Sequence, residues 1–363
     1  MDLLSGAFGR VRTALIAVRS LLWRWILRRT AQLADRSDAQ ELAANAIPYR
    51  LELGADLLSR RTLQDPYRPN SGSERPAASR SDVVFVTARF RSGSTLLWNL
   101  TRSLPGVRAY YEPFNERRWF DSQVRGNHTD PTHVGVSDYA REYDDLEDLV
   151  GVYDERWIDR RLFMNERSTD PRMLRFIDRL IISADGPCVL QFNRVDFRLR
   201  WLRRHYPRCT IVHLHRDPRS QWLSSIGNAD ACPPDASFHT LGGKDFFYFR
   251  RWCRDLRIVL PLLDERLHEH PYELFYLLWR YSYSEGRSQS DLSFSYADLS
   301  SEPKSVLDPI AERTSSVFRP SGAAPIVQRV DDRWKEYADE HWFEDREARV
   351  TRMLANMAAD PDP

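Results

Sequence analysis

Residues Ala88-Arg89-Phe90-Arg91-Ser92-Gly93-Ser94-Thr95 follow the apolar run Asp82–Thr87 without a break. A buried strand, a tight turn holding Gly and small hydroxyl residues, and a helix amino terminus together form an anion cradle. In it, successive backbone N–H groups and the helix dipole point at one spot. Gly93 permits close approach, Ser94 and Thr95 add hydroxyl donors, and the Arg91 guanidinium can fork two oxygens. The same residues also suit a plain helix cap. A Walker-type loop needs Lys ahead of its hydroxyl residue, and none stands here, so magnesium-nucleotide hydrolysis is disfavoured.

A second cradle is written at His213-Leu214-His215-Arg216-Asp217-Pro218-Arg219-Ser220, running on to Ser224. Arg216 leaves the carboxyl end of a strand, Pro218 suits the first turn of a helix, and Ser224 lies about two helical turns beyond Arg216. Ligands of parallel sheets sit at the carboxyl ends of strands, so both cradles would face one cleft. Two further segments end strands at that edge: Tyr110-Tyr111-Glu112-Pro113, which offers a carboxylate, and Gln191-Phe192-Asn193-Arg194. His213 and His215 alternate on a strand and read as core or supporting residues. The acidic run Asp144–Asp148 reads as a solvated helix face, its spacing scattering the acids around the helix.

The elements that must position these residues are short apolar runs alternating with amphipathic helices, the pattern of a parallel sheet covered by helices. Strands are expected at 82–87, 107–111, 187–192, 209–215 and 291–296. Helices are expected at 94–104, across about 138–184, and at 196–206, 218–226, 244–268 and 271–286. The fold class is α/β: a P-loop-type parallel sheet flanked by helices, with an N-terminal helical extension. The domains are residues 1–63 (amphipathic extension), 64–81 (a linker rich in Pro and Ser) and 82–355 (the main domain). Leu4, Phe8, Val11, Leu15, Val18, Leu22, Trp25 and Ile26 share one helical face, which suits either packing on protein or an anionic membrane surface. Arginines interrupt this stretch too often for a spanning helix.

With 363 residues, 42% of them hydrophobic, the chain can bury a large core and is not disordered. A net charge of +1 calls for no nucleic acid. Four cysteines without metal-finger or framework spacing read as reduced thiols. Only three of the 53 basic residues are Lys, a bias that fits GC-rich bacterial coding.

The two cradles in this order resemble those of the sulfotransferases that use 3′-phosphoadenosine 5′-phosphosulfate (PAPS). FRSGSTLL is similar to their 5′-phosphosulfate loop in the Arg-containing version of the carbohydrate branch. HLHRDPRSQWLSS is similar to their 3′-phosphate motif, and FSYADLSSEP to a Tyr-Glu-Asp-Leu segment, with Ala297 in place of Glu. The resemblance implies PAPS as donor, with no metal. It assigns Arg91, Ser92, Gly93, Ser94 and Thr95 to the 5′-phosphosulfate, Arg216 and Ser224 to the 3′-phosphate, and Glu112 to the general base. Arg91 would also act in catalysis. Trp334 is a candidate nucleotide cap or, equally, the aromatic anchor of a surface helix. The implied acceptor is a hydroxyl of a carbohydrate or glycolipid; the alternatives are a lipid or small alcohol, or a nucleotide-binding protein without turnover. The implied location is cytoplasmic, with residues 1–30 a candidate contact at the inner membrane face.

Overall fold

The computed structural model describes residues 80–127, 129–130, 132–133, 135–314 and 333–359. The expected N-terminal extension and nearly all of the linker lie outside the described residues. Five parallel strands, β1 (Val83–Ala88), β2 (Arg108–Tyr111), β3 (Cys188–Phe192), β4 (Thr210–His215) and β5 (Leu292–Ser295), form one sheet in the order β2-β3-β1-β4-β5. All five coincide with expected runs to within a residue or two. β1 is buried along its whole length, as a central strand covered on both faces must be. Its neighbours are in register at Val86↔Gln191 and Val86↔Val212.

The helices that carry the site are α1 (Ser94–Arg102), α2 (Pro171–Ser183), α3 (Leu199–His205), α4 (Pro218–Ile226), α5 (Phe249–Leu256) and α6 (Pro271–Gln289). They are followed by α7 (Tyr296–Ser301), α8 (Pro303–Arg313) and α9 (Glu340–Ala359). One apolar core surrounds the sheet; a second, rich in aromatics, joins α4, α5, α6 and α9. α6 crosses β4 so closely that a Cβ on Gly286 would lie 2.4 Å from the His213 ring. Glycine is needed there for contact.

Two expected helices differ. Across 138–184 only α2 is a long helix; the rest is short helical turns and loops, with Asp145 and Arg161 at positive φ, which a continuing helix forbids. Asp170 starts α2 by accepting the Met173 N–H. The helix expected over 244–268 runs only from Phe249 to Leu256, and Pro261 opens a separate turn, since its ring cannot continue a helix. The acidic run Asp144–Asp148 is therefore not on an α-helix; its exposed members Asp144 and Asp148 pair with Arg125 and Arg179.

Candidate active site

In spatial order along the sheet, β2 runs into Glu112, β3 into Asn193 and Arg194, and β1 into the Arg91–Thr95 turn. β4 then runs into Arg216 and β5 into Tyr296. A cleft of about 310 Å³ opens over these ends, lined among others by Arg91, Gly93, Ser94, Thr95, Glu112, Arg216 and Ser224. Parallel pairing gathers residues over a hundred positions apart onto one edge.

The central turn is built on two left-handed residues, Arg91 (φ 66°) and Gly93 (φ 91°). Gly93 leads into α1 without any side-chain cap, so the first amides of that helix have no intrahelical acceptor. A Cβ on Gly93 would lie 2.3 Å from the Tyr296 ring, so the turn passes flush against the end of β5. This narrow, donor-rich cradle fits an anionic oxygen group. Ser94 Oγ donates to Asn193 Oδ1 at 3.2 Å, and Thr95 Oγ1 lies 3.0 Å from the Tyr111 hydroxyl. Ser92 departs from the other turn residues: it is fully buried, and its Oγ donates to the Arg89 carbonyl at 2.6 Å. It braces the turn from below and does not line the cleft.

Arg91 spans the two cradles, its Nε donating to Ser224 Oγ at 3.0 Å and its Nη1 to Thr132 Oγ1 at 3.4 Å. Arg216 donates to the Arg91 carbonyl at 3.2 Å and stacks 4.8 Å over the Tyr296 ring. The Arg216 backbone is itself held, because Trp279 Nε1 donates to its carbonyl at 3.0 Å. Asp217 caps α4 by accepting the Ser220 N–H at 2.8 Å.

Glu112 sits at φ 41° and is 4% exposed. Its Oε1 accepts from Asn193 Nδ2; its Oε2 accepts from Asn115 Nδ2 at 2.5 Å and from Arg194 Nη1 at 3.3 Å. Burial pushes its carboxyl above the usual range, against the pull of Arg194 and Asn115. Arg194 is equally buried, lies against the stacked rings of Phe90 and Tyr248, and also donates to Glu116 at 2.7 Å. A desolvated carboxylate with a raised pKa is a suitable proton acceptor at the edge of an anion cradle.

His213 and His215 stack on each other and against Tyr283, away from the cleft, and burial lowers both, His215 to about 4. The histidine at the cleft is His133, whose Nδ1 lies 2.6 Å from the Tyr139 hydroxyl and whose Nε2 lies 3.4 Å from Thr95 Oγ1. Burial lowers its pKa as well. The segment that carries it has no periodicity or motif, so nothing in the sequence singled it out. Phe247 and Tyr248, consecutive residues at positive φ on the cleft wall, were likewise unmarked. Trp334 does not cap the cleft; it packs on Arg219 and Phe343, the aromatic-anchor alternative. Among the described residues no group of His, Cys, Asp and Glu could hold a metal ion, and no helix is long and apolar enough to cross a membrane.

A model of the sulfotransferase family matches residues 83–276. Among solved structures, a sulfotransferase from Alicyclobacillus acidocaldarius is 13% identical, with 78% of this chain and 97% of that chain covered and a TM-score of 0.36. The sulfotransferase domain of the Synechococcus PCC 7002 olefin synthase is 16% identical, with 84% and 100% covered and a TM-score of 0.32. A retinol dehydratase solved with androsterone and the inactive cofactor PAP is 15% identical, with 77% and 82% covered and a TM-score of 0.28. No curated protein matches the chain. The family model spans more than half of the chain and contains both cradles and Glu112, and the chain belongs to the sulfotransferase family.

Proposed function

We propose that this sulfotransferase moves a sulfuryl group from PAPS to a hydroxyl of a carbohydrate or glycolipid acceptor, with Glu112 as general base. The observation that carries the reading is the spatial order at the sheet edge. Glu112 stands on one side of the Arg91–Thr95 turn and Arg216 on the other, around one cleft.

In this reading the α1 amides, Gly93, Ser94, Thr95 and Arg91 hold the 5′-phosphosulfate, while Arg216 and Ser224 hold the 3′-phosphate. Arg91 exchanges its neutral partners Ser224 and Thr132 for the donor's charge, a stronger bond. Glu112 takes the proton of the acceptor hydroxyl as its oxygen bonds to sulfur and the sulfur bond to the bridging oxygen breaks. The turn amides and Arg91 offset the charge gathering on that oxygen as 3′-phosphoadenosine 5′-phosphate (PAP) departs. The chemistry is positioning and charge stabilisation, and no residue forms a covalent intermediate.

The aromatic wall of Tyr111, Trp119, Tyr139 and Phe247 favours a second acceptor reading, a lipid or small alcohol. Sulfur-labelled PAPS with a cell-envelope extract, followed by identification of the product, decides between them. A labelled glycan or glycolipid supports the first reading and a labelled lipid or small alcohol the second; absence of transfer overturns both. The enzyme in this proposal is cytoplasmic and peripheral at the inner membrane face. Deleting residues 1–35 should release it from anionic vesicles without changing PAP binding; an intact chain that ignores such vesicles overturns that placement.

A further inference from the structure

Three residues beyond Arg216, on the first turn of α4, Arg219 points away from the cleft. It meets Glu347 of α9 in a two-pronged ion pair, Nε to Oε1 at 2.9 Å and Nη2 to Oε2 at 3.0 Å. Both side chains are largely buried, at 14% and 7% exposure. The guanidinium lies against two rings of the C-terminal region, 5.0 Å from Trp334 and 5.4 Å from Phe343. Tyr272 of α6 donates its hydroxyl to Glu347 Oε1 at 2.7 Å, which fixes the carboxylate from the other side. About two helical turns along from Tyr272, Trp279 of the same helix donates to the Arg216 carbonyl.

We propose that α9 sets the 3′-phosphate end of the cleft. Glu347, fixed by Tyr272, anchors Arg219 and thereby holds the Arg216–Ser220 turn at the height from which Arg216 and Ser224 reach one phosphate. The inference rests on the reading of Arg216 and Ser224 as the 3′-phosphate residues. A buried ion pair adds little net stability compared with apolar packing of the same shape, but it fixes a geometry. A planar, bidentate pair fixes both distance and orientation. The turn it fixes carries Arg216 and the Asp217 cap, and the helix it opens carries Ser224, so a shift of α4 would move Arg216 and Ser224 relative to Arg91. Glu347 and Arg219 touch no ligand in this account; they are positioning residues.

The test is calorimetry on the full chain with two probes that differ by the 3′-phosphate, PAP and AMP. The wild type should bind PAP more tightly than AMP. Glu347→Gln keeps the size of the side chain and removes its charge. It should weaken PAP about tenfold while leaving AMP within about twofold, so the ratio between them shrinks. Tyr272→Phe, which loses only the hydroxyl bond that fixes Glu347, should shrink the ratio in the same direction by less; it decides the question if Glu347→Gln does not fold. Equal weakening of PAP and AMP would mean a merely structural role, and unchanged affinity for both would mean no role; either overturns the proposal. A wild type that does not distinguish PAP from AMP overturns the 3′-phosphate reading beneath it.

Discussion

Replacing Arg194 with Met tests how Glu112 is kept ready to take a proton. Met preserves an unbranched chain against the rings of Phe90 and Tyr248 and removes the cation beside the carboxylate. Opposite unit charges at the observed 3.3 Å attract by about 5 kcal/mol at an effective dielectric of about 20. That is an upper figure: Glu116 shares the guanidinium at 2.7 Å, and the Asn115 and Asn193 amides remain on the carboxylate. The sign follows from the site. Burial raises the Glu112 pKa and Arg194 opposes it, so loss of Arg194 raises it further. A base must be ionised to act, so activity fails as pH falls through that pKa, and the acid limb of kcat/KM should move to higher pH. Initial rates of transfer from PAPS between about pH 5 and pH 9 measure it. An acid limb that stays in place, or moves to lower pH, refutes the pairing of Arg194 with the catalytic carboxylate.

Gly93→Ala puts a Cβ 2.3 Å from the Tyr296 ring at φ 91°. The left-handed conformation alone costs an L-residue about 1–2 kcal/mol, so the turn must shift; PAP binding should weaken at least tenfold by calorimetry, and unchanged affinity would remove the turn from the donor site. Arg216→Ala deletes a charge-assisted contact of about 1.5–3 kcal/mol, an expected loss of roughly 10- to 150-fold in PAP affinity. Undiminished binding in that variant would sink the 3′-phosphate assignment.

The parts of the site that could be read from the sequence are those that follow an apolar run. β1, β2, β3 and β4 each announce themselves by three to six buried residues, and parallel pairing brings whatever follows to one edge. Arg91, Glu112, Asn193 and Arg216 were therefore legible from position alone. The inward turn of Ser92 was not, because a hydroxyl in a tight turn can face the ligand or the turn's own carbonyl, and letters do not distinguish them. The grip of Arg194 on Glu112 and Glu116 joins residues about eighty apart and depends on β2 and β3 lying side by side. His133 and Tyr139 reach the cleft from a segment shaped by packing: Tyr139 stacks on Tyr111 at 4.7 Å and on Trp119 at 5.0 Å. The helices overextended in the sequence reading failed where Asp145, Arg161 and Pro261 impose backbone that a helix cannot hold.

The measurement closest to the central claim is single-variant kinetics on Glu112→Gln with PAPS and the labelled acceptor, alongside PAP calorimetry on the same protein. Gln keeps the size of the side chain and cannot take a proton. A positioned base contributes about 10²–10⁴-fold, so kcat should fall by that order while PAP affinity stays within about twofold of wild type. Near-normal turnover would contradict the account and pass the role to another cleft residue such as Glu116 or His133. Loss of PAP binding together with turnover would contradict it differently, making Glu112 an organiser of the Arg91–Thr95 turn through Asn193 and Ser94.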